Sequence, residues 1–429
     1  MPVDLHCPDC GTRYAAGPGE PWRCGCGSPL EFAERPLPAG RPRELPRLDT
    51  TAGLWAFFEL LPIERRVSLG EGFTPLVPAE SWDAAFKLEY VFPTGSFKDR
   101  GATTTLSRAV GLGVDRVIED SSGNAGAAIA TYAARAGIDA DVYVPADVKQ
   151  SKLMAIQRTG ARPIRVEGDR ADVTRACLEA VEGLEGVEGP ETVEEDDGVW
   201  DWGADDDGAS TIDDGEVTAS TGEDDGESTG ADGGASTDLE ATAPYQRGAG
   251  WYASHVWNPA FLAGTETFAY EVAAQCEWTT PDAIVLPAGN GTLLLGAYRG
   301  FSRLREAGIV DCLPRLYAAQ AAGYAPIVAA VGGEGGDGEP NELADGIRID
   351  DPARGPEMVE AVEVTDGDAI AVGADAVETS LDRLHRAGFY VEPTCAVAPA
   401  ALDALRERGA IDADETVVVP LTGSGLKTM

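Results

Sequence analysis

The sequence predicts an α/β protein with a mostly parallel, doubly wound sheet. Two observations carry that expectation. From about residue 99, strand-length apolar segments alternate with segments of helical period. The turns that join them are repeatedly glycine-rich. Two segments stand apart from this pattern: a module with four cysteines at the N-terminus, and an acidic stretch over 183–244.

Residues 1–34 form the cysteine-bearing module, and 35–47, rich in Pro and Arg, read as a linker. The globular pattern runs from about 48 to 429. Residues 99–112 suit a helix and 114–120 a short strand. Residues 124–137 suit a helix ended by Gly137, and 139–145 a strand. Residues 148–160 suit a helix ending at Gly160, and 161–168 a strand. Asp, Glu, Gly, Ser and Thr then dominate 183–244. Such a segment cannot bury enough apolar surface to offset its ordering entropy, so a disordered acidic insertion is expected. Alternation returns with a strand at 283–289, a helix from about Thr292 and a last strand within 415–423.

The formal net charge is -40, from 73 acidic and 33 basic residues. Only five basic residues are lysine: Lys87, Lys98, Lys149, Lys152 and Lys427. Residues 182–241 hold 22 of the acidic residues and no basic one, so the rest of the chain still carries 18 net negative charges. An acidic, lysine-poor body suits a halophilic protein, because concentrated salt screens its self-repulsion. The same charge argues against nucleic acid as a partner. No apolar run approaches the roughly 18 residues of a membrane span. The start, MPVDLHCPDC, lacks the basic-then-apolar order of a signal peptide. The cytoplasm is therefore the expected location, with no membrane partner.

One lysine and three glycine-rich turns carry the chemistry. Lys98 lies in PTGSFKDRG (93–101), just before a predicted helix. A Schiff-base lysine must sit near a carbonyl and shed its proton. The plainer reading is a helix-entry lysine in a surface ion pair, but the chain has few lysines to spare. SSGNAG (121–126) lies between a strand and a helix, where backbone N–H groups and a helix N-terminus can face an anion. PAGNGTLLLG (287–296) repeats that arrangement. Gly289 and Gly291 admit a ligand close to the backbone, and Asn290 and Thr292 add side-chain donors. LTGSGLKT (421–428) follows the strand ETVVVP. Ligands of open parallel sheets sit at the carboxyl ends of strands, so the four motifs can converge on one pocket.

The ordered set PTGSFKDRG, SSGNAG, PAGNGT and LTGSGLK resembles the fold-type II pyridoxal-phosphate (PLP) enzymes of the tryptophan synthase β-like group, and within them the threonine synthase family. The resemblance spans roughly 50–429 without the acidic stretch. It implies two doubly wound open-sheet subdomains in a catalytic domain over 48–429, the smaller at about 100–180. It also implies PLP as cofactor, a small amino-acid substrate and a homodimer. By position, Lys98 is implied to hold the cofactor aldehyde as a Schiff base and Asn124 to bond the ring hydroxyl. Gly289, Asn290, Gly291 and Thr292 are implied to cradle the cofactor phosphate, and Thr422 to face the pyridine nitrogen. A hydroxyl partner does not keep that nitrogen protonated, which suits elimination and replacement. Ser121 and Ser122 are implied to bind the substrate carboxylate. The implied reaction turns O-phospho-L-homoserine and water into L-threonine and phosphate, with Lys98 as general base and acid.

Three positions depart from the family pattern. Ser424 replaces the His of TGHGLK, and Ala125 replaces a Thr. HVWNP (255–259) replaces Asn-Ser-Ile-Asn-Pro, whose first two residues lie near the substrate phosphate. These changes leave PLP binding untouched. They keep open a serine or threonine ammonia-lyase, or a β-replacement enzyme akin to cysteate or cysteine synthase. A non-catalytic binding protein on the same fold is a third reading, which the retained Lys98 opposes. His255 either packs between Tyr252 and Trp257 or serves the substrate, by binding an anionic group or shuttling a proton.

In the N-terminal module, Cys7 and Cys10 form CPDC, and thirteen residues later Cys24 and Cys26 form CGCG. Paired thiolates on tight turns suit tetrahedral zinc, although the second pair is one residue short of the usual spacing. A structural zinc ribbon is expected, with free thiols as the alternative. Such ribbons precede some archaeal threonine synthases.

Overall fold

The computed structural model describes residues 1–37, 48–183, 250–333, 335 and 339–428. Apart from Gly183, the predicted insertion at 183–244 lies outside the described residues, as does most of the linker.

The N-terminal module is an antiparallel sheet of β1 (Leu5–His6), β2 (Arg13–Tyr14) and β3 (Glu31–Phe32), in the order β2-β1-β3. The body opens with β4 (Leu76–Ala79) and β5 (Ala84–Lys87). Next come α1 (Lys98–Leu112), β6 (Arg116–Glu119), α2 (Asn124–Ala136), β7 (Asp139–Pro145), α3 (Gln150–Gln157), β8 (Arg162–Val166) and α4 (Arg170–Glu182). Past the acidic segment lie β9 (Trp251–Tyr252), α5 (Pro259–Gln275), β10 (Ala283–Pro287), α6 (Thr292–Glu306), β11 (Arg315–Ala321), α7 (Pro326–Val331) and α8 (Gly355–Val364). β12 (Asp368–Val372), α9 (Ala374–Arg386), α10 (Pro393–Glu407) and β13 (Val417–Pro420) complete the chain.

Two open sheets result. The larger has the order β12-β11-β10-β13-β5-β4 and is parallel except for the antiparallel edge strand β4. The smaller, β8-β7-β6-β9, is wholly parallel, and its β9 comes from beyond the acidic segment. β10 and β13 are buried at every position and read as unbroken apolar runs, as strands covered on both faces must. Residues of α9 and α10 pack on one face of the large sheet, and those of α5 and α6 on the other. On the small sheet α1, α2 and α3 share one core, while Cys177 and Val181 of α4 pack with Ile118 and Tyr252 in another. Among the described residues, no helix is long and apolar enough to cross a membrane.

Some expected boundaries shift. The strand expected over 283–289 stops at Pro287, because the chain turns through Gly289–Gly291 to start α6. The helix expected over 148–160 is α3 at 150–157, and 158–160 form a turn that ends at Gly160, φ +85°.

A buried charge cluster anchors α1. Arg100 bonds Glu89 twice at 2.7 Å and Glu271 at 2.6 Å, and Lys87 Nζ bonds Glu271 at 2.7 Å. None of the four side chains is exposed. Burial pushes the Glu271 carboxyl up, but the Arg100 and Lys87 charges outweigh it and hold it at about 2. The cluster ties α1, and with it Lys98, to α5 and to the chain around β5.

Candidate active site

The carboxyl ends of β6, β10 and β13, together with the start of α1, enclose a cavity of about 440 Å³. Lys98, Ser121, Ser122, Asn124, His255, Gly289, Asn290, Gly291, Thr292 and Thr422 all line it. A larger and more apolar cavity of about 810 Å³, at Trp55, Phe58 and Arg108, contains none of these residues.

Lys98 is the first residue of α1. Its Nζ donates to Thr292 Oγ1 at 3.0 Å and rests 4.6 Å from the Phe97 ring centre. Burial pushes its amine down to about 7, and the Arg170 charge adds to this against the opposing pull of Glu119. A neutral, nucleophilic amine is therefore available near neutral pH.

Gly289 to Thr292 wrap the N-terminus of α6. Gly291 sits at φ +70°, and a Cβ there would lie 2.3 Å from Met358 Sδ. A Cβ on Gly289 would lie 2.9 Å from Ile347 Cα. The backbone can pass here only as glycine, which leaves its N–H groups and the helix dipole for an anion.

Before α2, Ser121 Oγ accepts from Gly123 N at 3.3 Å, and a Cβ on Gly126 would lie 1.7 Å from Ser121 O. That close approach sets the turn before α2. Asn124 Nδ2 donates to Glu392 Oε1 at 2.9 Å, and its Oδ1 accepts from Lys427 Nζ at 2.7 Å. Thr422 Oγ1 is 3.3 Å from Cys395 Sγ, a thiol that burial pushes up to about 12.

His255 does not pack between Tyr252 and Trp257. Trp22 of the N-terminal module takes that place, with ring centres 5.7 and 5.0 Å from theirs. The His255 ring instead lies edge-on to Phe261, and its Nδ1 is 2.7 Å from Glu119 Oε1. Burial drives His255 well below its usual range and Glu119 well above its own.

Several lining residues escaped the sequence reading: Glu392, Arg170 and Lys152 line the cavity, with Glu119 and Lys427 bonded to residues that do. The one available signal was the scarcity of lysine. Of the five, Lys98 and Lys152 line the cavity, Lys427 bonds Asn124, and Lys87 is in the buried cluster.

A model of the pyridoxal-phosphate dependent enzyme family matches residues 67–195 and 216–423. The chain belongs to that family. Threonine synthase of Methanocaldococcus jannaschii is 30% identical over 391 residues, covering 87% of this chain and 80% of that protein. Threonine synthase of Methanosarcina acetivorans is 29% identical with the same coverage, and that of Mycobacterium tuberculosis is 29% identical over 84% of this chain and 83% of its own. By sequence, then, this is a threonine synthase-like PLP-dependent lyase. Among solved structures, tomato threonine deaminase aligns at TM-score 0.59 and 17% identity, covering 97% of this chain and 95% of its own. Maize serine racemase aligns at 0.58 and 17%, over 90% and 94%. At that identity these likenesses speak for the fold. The cavity fits PLP on its own geometry: a glycine cradle for a phosphate, a neutral lysine for an aldehyde, and donors around a ring-sized space.

The four clustered cysteines meet as well. Cys7 and Cys26 Sγ are 3.6 Å apart, Cys10 and Cys24 Sγ 3.4 Å, and all four sulfurs lie within 4.8 Å of one another. The module also grips the His255 segment. Glu31 of β3 pairs with Arg299 at 2.8 Å and lies 3.6 Å from Arg354, which donates to Val256 O at 2.7 Å and Trp257 O at 3.2 Å.

Proposed function

We propose that this lyase converts O-phospho-L-homoserine and water to L-threonine and phosphate. The convergence of Lys98, the 289–292 cradle and the Ser121–Asn124 turn on one cavity carries the reading, together with the threonine synthase relatives. Bound PLP supplies an electron sink for charge developing at the substrate's α carbon. Gly289, Asn290, Gly291 and Thr292 would hold its phosphate, Asn124 would bond its ring hydroxyl, and Thr422 would offer its ring nitrogen a hydroxyl without a charge. Ser121 and Ser122 orient the substrate carboxylate at the start of α2. Lys98 Nζ moves the proton at the α carbon, a role that suits an amine poised at about 7. Phe97 and Phe261, whose ring centres lie 4.6 and 5.7 Å from Lys98 Nζ, keep bulk water from the reacting atoms.

The four-cysteine module holds a structural zinc in this reading, the protein works as a homodimer in the cytoplasm, and the acidic body suits concentrated salt. A serine or threonine ammonia-lyase is the second reading, favoured by the replaced 255–257 segment. The two separate in an assay of protein purified in molar salt with PLP. Threonine and phosphate released together from O-phospho-L-homoserine support the first. Ammonia released from serine or threonine, with no phosphate from the phosphorylated substrate, moves the assignment to the second.

A further inference from the structure

Lys427 has no task in the reaction as described so far. It lies in a single 3-10 turn, Gly425–Thr428, within the last of the glycine-rich motifs. Its Nζ donates to Asn124 Oδ1 at 2.7 Å, and Asn124 Nδ2 donates to Glu392 Oε1 at 2.9 Å. The three residues come from the 421–428 motif, the first position of α2 and the N-cap of α10. Burial pulls the Lys427 amine below its usual range, against Glu392 and Asp99, which favour its charge. Burial likewise pushes the Glu392 carboxyl up, and the Lys427 charge opposes it.

An ammonium group can only donate, and a carboxylate can only accept. The two together fix which way the Asn124 amide faces: oxygen to Lys427, nitrogen to Glu392. Nδ2 carries two hydrogens, and the bond to Glu392 uses one. The second is left as a donor on a residue that lines the cavity with Lys98. Without Lys427 the amide is free to turn, and its oxygen would repel an acceptor in that place. Backbone bonds set Lys427 against the Lys98 loop. Ser424 N donates to Gly95 O at 2.9 Å, and Phe97 N to Thr422 O at 3.1 Å. A Cβ on Gly95, at φ +73°, would lie 3.0 Å from Lys427 Cε, so the lysine stem passes over a bare glycine of PTGSFK. Only five of the 33 basic residues are lysine, and here the slender stem suits a gap that a guanidinium would crowd.

We propose that Lys427 is a positioning residue for the cofactor's ring oxygen: it locks the Asn124 amide so that one N–H is held by Glu392 and the other is presented to that oxygen; this rests on the cofactor site proposed above. Glu392 lines the cavity and Lys427 does not, so Lys427 acts through Asn124. A donor held at the ring oxygen favours its deprotonated form. Loss of Lys427 therefore registers in the cofactor's spectrum and affinity.

The test compares full-length wild type, Lys427→Met, Lys427→Arg, Asn124→Ala and the Asn124→Ala/Lys427→Met double variant, each titrated with PLP at fixed pH and salt. The readouts are PLP affinity and the ratio of the two cofactor absorbance bands that report a protonated or a deprotonated ring oxygen. Lys427 is partly exposed, and the melting temperature checks that each variant folds. Expected for Lys427→Met is a loss of about tenfold in PLP affinity, with a shift toward the protonated band. Lys427→Arg keeps a donor and recovers part of both. In the Asn124→Ala background Lys427→Met adds less than about twofold, because the amide it orients is gone. A Lys427→Met variant with wild-type affinity and band ratio overturns the proposal. So does an equal loss with and without Asn124, which would mark a merely structural lysine. Both results leave the cofactor reading intact. Wild type that shows no cofactor absorbance after incubation with PLP overturns the cofactor reading, and this proposal with it.

Discussion

Lys98 is held where its amine loses its proton at about pH 7, well below an ordinary lysine, and that sets a measurable pH dependence. The folded-state value is depressed, so protonation silences the amine only as pH falls through about 7. The rate of PLP uptake by apo-protein should be level above about pH 8 and fall about tenfold per unit below pH 6. Uptake that climbs steadily to pH 10, as for an ordinary lysine, would contradict the placement. At this scale the glycines and Lys98 were legible in the sequence, because their constraints are local: a tight turn, a helix start, a backbone with no room for a Cβ. Glu392, Lys427 and Arg170 were not. Glu392 meets Asn124 across 268 positions of chain, and no local pattern encodes such an approach. His255 was singled out, but its partner Glu119 lies 136 positions away, on β6.

Secondary elements turn these residues into a site by fixing their backbones. The helix after PTGSF was readable from its sequence, yet what holds it was not. Arg100 belongs to the same motif as Lys98, but Glu89 and Glu271 reach it only in the folded chain. Breaking a fully buried charge cluster leaves uncompensated carboxylates. Arg100→Met should therefore lower unfolding free energy by about 3–5 kcal/mol, measured by denaturant titration in high salt. A loss within experimental error would mean the cluster contributes no net stability. Strand ends were legible only to within two residues, since β10 stops where Ala288 and Gly289 begin the turn. The grip of the module on the 256–257 carbonyls, through Glu31 and Arg354, had no sequence signal at all.

At the scale of the whole molecule, charge is the dominant fact. With -40 formal charges, self-repulsion opposes compaction at low salt. The screening length falls from about 10 Å at 0.1 M to about 3 Å at 1 M salt. The melting temperature should rise across that range of sodium chloride, and a flat or falling trend would contradict the halophilic reading. The parallel, doubly wound plan was visible in the alternation and in the apolar runs of β10 and β13. The split into two sheets came from family resemblance, because β9 joins the small sheet from beyond the acidic segment and no periodicity announces that return.

The most direct test of the site is to trap the cofactor on its lysine. Holo-protein is reduced with borohydride, digested, and mapped by mass spectrometry. A phosphopyridoxyl mass on Lys98, and on none of Lys87, Lys149, Lys152 or Lys427, is the expected result. A stoichiometric adduct on another lysine, or none on a folded chain saturated with PLP, would contradict it.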